Sequence, residues 1–277
     1  MTARIRDPGS RTRSTERVSL IMEHDELTRN HLIDLARQAE SRGTYTYSGF
    51  LGLPEQDIYT RLQPEISFIP NTLFGGSEAS ERQIAVFGSE KELGYPPEYP
   101  IVVLKISPTA GRFSEMLTHR DYMGAILNLG IDRSLIGDII VRGSDAYVYC
   151  LASIRDFLCD NLISVRHTEV ACAFAADMAH VQDIPELRPV LTPQNINVAS
   201  ERMDSIVAGF TNISRSHIKE LFLRQRVLLN GRIITSLSAS PRPGDVITVR
   251  GFGKAVYDGI SGKSKKGRLY VTLRKYT

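Results

Sequence analysis

The 277-residue chain has no tryptophan and few cysteines or histidines. Its three cysteines, Cys150, Cys159 and Cys172, stand at no metal-ligand spacing and cannot all pair. They read as reduced core residues of a cytoplasmic protein. The six histidines (His24, His31, His119, His167, His180 and His217) form no HExxH or Cys/His knuckle, so neither a metal nor a cofactor is expected. No apolar run approaches the roughly 20 residues of a membrane-spanning helix. These absences exclude a disulfide scaffold, a zinc module and a helical membrane anchor. Acidic residues are scarce in the first stretch, MTARIRDPGSRTRSTERVSL. It has no secretory apolar core, and residues 1–22 read as a solvated, disordered tail.

The net charge of +3 conceals an asymmetry. Residues 200–277 carry 15 Lys and Arg against 5 Asp and Glu, leaving 19 basic and 26 acidic residues in 1–199. One end of the chain is built to meet an anion, and the other is not.

Periodicity divides the rest. Residues 23–100 read as an N-terminal helical and loop region. Its helix over 23–42 has Leu27, His31, Ile33, Leu35 and Ala39 as the apolar face and Gly43 as the stop. A short helix is expected over Glu55–Leu62 and a short strand over Ile66–Ile69. Residues 101–180 alternate as strand (Ile101–Ile106), helix (Thr118–Leu129), strands (Asp138–Arg142 and Ala146–Cys150), helix (Leu151–Asn161) and strand (His167–Phe174). This βαββαβ order is that of ferredoxin-like and RNA-recognition domains. Residues 181–199 read as a connecting segment. In 200–277, two short helices (Arg202–Phe210 and Ser214–Arg224) precede strands at Val227–Asn230, Arg232–Thr235, Val246–Arg250 and Arg268–Arg274. The stretch GKAVYDGISGKSKKG reads as a flexible basic loop. The fold class is α+β.

His119-Arg120-Asp121 spells the opening of a protein-kinase catalytic loop. A kinase places Asn five residues after that Asp and follows it with DFG. Here Ile126 holds the Asn position, Asp156-Phe157 runs into Leu158, and no GxGxxG precedes. The kinase reading fails, and no catalytic residue is assigned. Thr118 and Asp121 have capping-box spacing instead. Tyr122, Ile126 and Leu129 form an inward stripe, with Gly124 allowing close packing. His119 and Arg120 then face outward, as candidates for a partner or phosphate contact.

The stretch HRDYMGAILNLGIDRSLIGDII resembles the pattern HRDxLGAxLxLGIxRxxxGDIxV of the YlmH-like family of bacterial RNA-binding proteins. GGSEASERQIAVF resembles that family's glycine-pair segment. Met123 replaces the usual Leu, and Ser77 stands where an aromatic is common. The likeness runs from about Leu27 to the end. It implies a non-enzymatic RNA-binding factor on the large ribosomal subunit, contacting ribosomal RNA and tRNA in quality control of stalled translation. No DNA or membrane partner is expected.

The basic end resembles an S4 (alpha-L) RNA-binding domain in Arg202-Met203-Asp204, Ser214-Arg215-Ser216, Lys219, Val227, Asn230-Gly231 and Pro243-Gly244-Asp245. Ser214, Arg215 and Ser216 open a helix, where amides, hydroxyls and a guanidinium suit a phosphate. Lys219 lies one turn on. Arg202, Arg224, Arg226 and Arg232 complete the candidate RNA-binding set. For Arg224 and Arg226 a merely solvated helix face is an equal reading. The strand AYVYC lacks the aromatic-rich pattern of sheet-based RNA readers, and Tyr147 and Tyr149 alternate onto one face as possible core. The alternative class is an RNA-modifying enzyme, a pseudouridine synthase or methyltransferase with an appended S4 domain. A Gly-Arg-Leu-Asp-like segment or a Gly-rich cofactor loop would mark it.

Overall fold

The computed structural model describes residues 9–77, 79–109 and 116–276, with only the backbone described over 9–22 and at Arg215, whose side chain lies outside the described residues. It is α+β and divides into two compact units, one of Met1–Ser48, Pro54–Thr72 and Ala85–Pro97, the other of Gly49–Leu53, Leu73–Ile84 and Glu98–Thr277.

In the first unit, helix α1 (Gly9–Arg42) is longer than expected. The tail reading is corrected over 9–22, where no Pro or internal Gly interrupts the helix, while residues 1–8 lie outside the described residues. Gly43, at φ 60, ends it. The buried face is Leu32, Ala36 and Ala39, whereas His31 and Leu27 are exposed. That face follows the i, i+4, i+7 spacing; it keeps Ala39 of the expected stripe but takes Leu32 and Ala36 in place of His31 and Leu35.

Strand β1 (Thr46–Leu51), helix α2 (Leu53–Leu62), strands β2 (Asn71–Phe74) and β3 (Gln83–Phe87) and the short helix α3 (Glu90–Leu93) follow. The three strands form one sheet with β3 central. The strand expected at Ile66–Ile69 is a pair of turns, with Ile66 N–H donating to the Leu62 carbonyl at 3.1 Å. Pro64 and Pro70 bracket this segment and deny it a ladder.

From Glu98 onward the second unit contains β4 (Ile101–Pro108), α4 (His119–Asn128), β5 (Ile136–Arg142), β6 (Asp145–Leu151), α5 (Arg155–Asn161), β7 (Ser164–Val165) and β8 (Thr168–Asp177). The sheet order is β5-β6-β4-β8-β7, the ferredoxin-like arrangement with a two-residue edge strand added. One face of this sheet (Val102, Leu104, Ile106, Val148, Cys150) packs on Tyr122 and Ile126 of α4 and Leu158 of α5. Emptying such a buried aliphatic site costs about 2–5 kcal/mol. All three cysteines are free thiols, and burial pushes that of Cys150 up to about 12.

The basic end adds β9 (Leu191–Val198), α6 (Met203–Thr211), α7 (Arg215–Leu223), β10 (Val227–Leu229), β11 (Arg232–Ile233), β12 (Val246–Val249), β13 (Gly253–Lys263) and β14 (Leu269–Tyr276). Two readings change. The connecting segment contains β9, which pairs along β14 from Val198↔Leu269 to Leu191↔Tyr276 as the outer strand of a six-stranded sheet. The supposed basic loop is β13, whose Ala255 and Tyr257 are fully buried. Gly259 and Gly262 sit where the register shifts, between Tyr257 and Gly259 and between Ile260 and Gly262, so they mark bulges and not disorder. Asn230-Gly231 closes the β10–β11 hairpin, both residues at positive φ, as a two-residue turn requires.

A polar brace joins the glycine-pair segment to β5. The Asp138 carboxylate accepts the Glu81 amide at 2.7 Å and the Arg82 amide at 3.1 Å. The Arg82 guanidinium donates to the carbonyls of Phe50 (2.8 Å), Arg133 (3.0 Å) and Ile136 (2.9 Å). Glycines make the approach possible. A Cβ on Gly137 would lie 2.6 Å from the Phe50 ring, and one on Gly76 would lie 2.6 Å from the Tyr149 ring.

Burial holds the Asp138 carboxyl above the usual aspartate range, against the two amides that favour its charged form. Asp138→Asn turns an amide group toward one of those backbone donors. We expect it to lower unfolding free energy by about 1–3 kcal/mol, measured by urea denaturation. A variant as stable as the parent would show that the carboxylate does not hold the segment.

Candidate nucleic-acid interface

The charge of the basic end gathers around two short helices. Helix α6 buries Met203, Ile206, Val207 and Phe210. Gly209 lets it lie close on β9, where a Cβ would be 3.0 Å from Ile196. Its first turn is pinned from outside, the Met203 amide donating to Ala239 O at 2.7 Å and the Asp204 amide to Leu237 O at 3.1 Å. Asn212 ends α6 in the left-handed conformation at φ 57 and redirects the chain into α7. An open groove of about 1040 Å³ runs past both helices, lined by Arg202, Ser216 and Lys219 together with Asn197, Asn212 and Arg268.

The groove collects part of the expected set. Arg202 is the N-cap residue of α6, and Asp204 holds its guanidinium by two bonds, at 3.1 and 3.2 Å. That fixes the planar group while leaving further N–H donors for a ligand. Ser216 and Lys219 are exposed on α7, and Arg215 is the first residue of that helix.

Ser214 occupies the N-cap position with no side-chain cap, its hydroxyl meeting His217 Nδ1 at 2.9 Å and Ser216 Oγ at 3.0 Å. The leading amides of α7 therefore lack a side-chain cap, at the positive end of the helix.

Arg224, Arg226 and Arg232 do not line the groove. Arg224 caps the far end of α7 and pairs with Glu220 at 2.5 Å. Arg226 leads into β10, and Arg232 sits exposed on β11.

Arg268 was not anticipated. It donates through Nη2 to Asn197 O at 2.6 Å and through Nε to Asn197 Oδ1, which fixes it at the groove wall. The unrecognised strand β9 hid this pairing, because Asn197 read as linker.

The βαββαβ sheet offers no stacking platform. Tyr147 is 3% and Tyr149 1% exposed, and Val103, paired opposite Tyr149 on β4, is fully buried. They are core, as alternation onto one face allowed. Burial pushes the Tyr149 hydroxyl up to about 12, with the Asp138 charge adding to it.

On α4, His119 and Arg120 are exposed. Asp121 turns inward, accepting the Thr118 amide at 2.8 Å and the Thr118 hydroxyl at 2.7 Å on one oxygen, and Arg166 Nε at 2.7 Å on the other. The Thr118 bonds, hydroxyl then amide, hold its carboxyl below the usual range, with Arg166 adding to them. A Cβ at Gly124 would meet nothing within 4 Å, so the packing role expected of that glycine is corrected. The buried side of α4 is carried by Tyr122 and Ile126.

Fold and groove define an α+β protein with an RNA-recognition topology in its middle and a cationic groove at its end. Residues 96–176 match the family model described as "Putative RNA-binding domain in YlmH". The chain is 24% identical over 201 residues to the Ribosome-associated protein quality control protein P2 of Bacillus subtilis (strain 168), covering 73% of this chain and 76% of that protein. Among solved structures, Cell division protein ylmH from Streptococcus pneumoniae aligns at a TM-score of 0.44 and 19% identity, over 58% of this chain and 94% of that one. Over residues 96–176 the chain is similar to the YlmH family.

The depressed Asp121 carboxyl predicts an acid dependence. Its stabilising contribution is complete above the unfolded value of about 4 and is lost as pH falls through the lower folded value. Urea unfolding of the parent and Asp121→Asn should differ by a constant increment from pH 7 to about pH 4, and the gap should close below that. A gap that persists at the acid end would remove the carboxylate from the account.

Proposed function

We propose that the protein is a non-enzymatic RNA-binding factor whose C-terminal helices act as an S4-type module. In this reading it works in the cytoplasm on the large ribosomal subunit, gripping ribosomal RNA and tRNA while stalled translation is cleared. The carrying observation is the groove lined by Arg202, Lys219 and Arg268 together with Ser216, Asn197 and Asn212, Asp204 being the one acidic residue in its lining among the described residues.

That chemistry suits a phosphodiester backbone. Fixed guanidinium donors, an ammonium and side-chain amides position RNA without reading its sequence. Structured RNA is recognised largely by shape and backbone, so a groove of this kind needs no stacking aromatic. The excess of basic residues over 200–277 supports the same reading, because long-range steering adds to the local contacts. The similarity to a protein named for ribosome-associated quality control supports the choice of particle.

Lys219→Glu and Arg202→Glu should each shift the protein from the large-subunit peak to the top of a sucrose gradient, with circular dichroism unchanged. Lys265→Glu, in the turn between β13 and β14, should matter far less, because an exposed charge there is screened. If the Lys265 variant leaves the particle while both groove variants stay, the turn is the binding element and the groove is not.

A further inference from the structure

We infer that the middle domain adds a second RNA-backbone contact, through a groove on α4 and not through its sheet. The inference rests on the proposed RNA-binding function and gives that function a second surface. Residues 96–176 match a domain described by RNA binding, yet the sheet face that such a topology would use is closed over Tyr147 and Tyr149. Contact by this domain therefore needs another surface.

Along α4 and the turn after α5 lies an open groove of about 580 Å³, whose lining includes Arg120, Gly124, Asn128, Asn161, Ile163 and Arg166. Three observations point to a ligand of repeated negative charge. Arg120 has no hydrogen-bond or ion-pair partner among the described residues. Among the described residues the one carboxylate in the lining, Asp121, has both oxygens engaged by Thr118 and Arg166, so it presents little free charge. The domain as a whole has seven basic against nine acidic residues over 96–176, so this groove departs from its surroundings.

Gly124 supplies the fourth argument. A glycine inside a helix is destabilising relative to alanine, and a Cβ here would touch no described atom. Internal packing does not explain the residue, whereas close approach of a sugar-phosphate backbone to the helix does. The Asn161 side chain donates to Phe157 O at 2.8 Å, leaving its carbonyl free for a ribose hydroxyl. Ile163, 70% exposed, gives an apolar rim for a ribose or base.

The test uses the full chain with labelled total deacylated tRNA and, separately, purified large subunits. Ultraviolet crosslinking is followed by mapping of the modified peptides. RNA adducts are expected on the α6–α7 peptides and also on the peptide holding residues 119–128. Arg120→Glu should remove the second set and lower the slope of log affinity against log salt by about one. Gly124→Gln should do the same while raising the melting temperature, which separates a blocked surface from a damaged fold.

Adducts on the C-terminal helices alone would overturn the α4 groove and leave the proposed function standing. Adducts on neither surface would overturn both. A protein crosslink at α4 with no RNA adduct would mean that the groove docks a polypeptide, and the inference would fall.

Discussion

The larger unit depends on one carboxylate used where a strand partner would ordinarily stand. Asp138 takes two consecutive backbone amides, and Arg82 returns the favour with three bonds to backbone carbonyls. Each buried backbone group paired in this way avoids the penalty of an unmet hydrogen bond, which can reach a few kcal/mol. With the amides at 81 and 82 fixed, Gly76 lies against the Tyr149 ring, and the sheet face is closed there. The RNA-recognition topology and the RNA-recognition mode thereby come apart. The strand order is retained, while the surface that normally stacks bases has become interior.

Much of this was readable where periodicity and burial agree. The middle domain's strands alternate or run apolar, its first helix stops just before Gly130, and the hairpin turns carry Gly143-Ser144 and Asn230-Gly231. The readings that failed share a cause, which is composition standing in for geometry. Strand β9 contains Pro193, and proline argues against a central strand, but β9 is the outer strand of its sheet, where a missing N–H costs no ladder bond. Strand β13 is rich in Gly, Ser and Lys because it is bulged and half exposed, not because it is loose. The brace was illegible for a different reason. Nothing local in GSEASER says that its amides will find an aspartate more than fifty residues away.

The candidate RNA site was legible in part for the same physical reasons. Arg202, Ser216 and Lys219 converge because a helix hairpin of fixed spacing brings the starts of α6 and α7 to one place. Arg224, Arg226 and Arg232 carry the same charge, but they follow the far end of α7 and leave the groove. Sequence charge alone cannot separate these sets. Arg268 could be found only once β9 was known to pair with β14, since its position depends on Asn197 across that pair.

His119-Arg120-Asp121 shows how a motif's meaning is set by what its neighbours occupy. In a kinase loop the aspartate must stay free to accept a proton. Here Thr118 and Arg166 engage both oxygens of Asp121, which holds the start of the helix. The neutralisation has a consequence for the residue before it. An arginine beside an exposed carboxylate would be drawn into an internal pair, whereas Asp121 already has its cation in Arg166, and Arg120 has no partner among the described residues. The same interaction that stabilises the start of α4 thus keeps a guanidinium available at its surface. Structural and functional readings of the triplet are two results of one arrangement of charge.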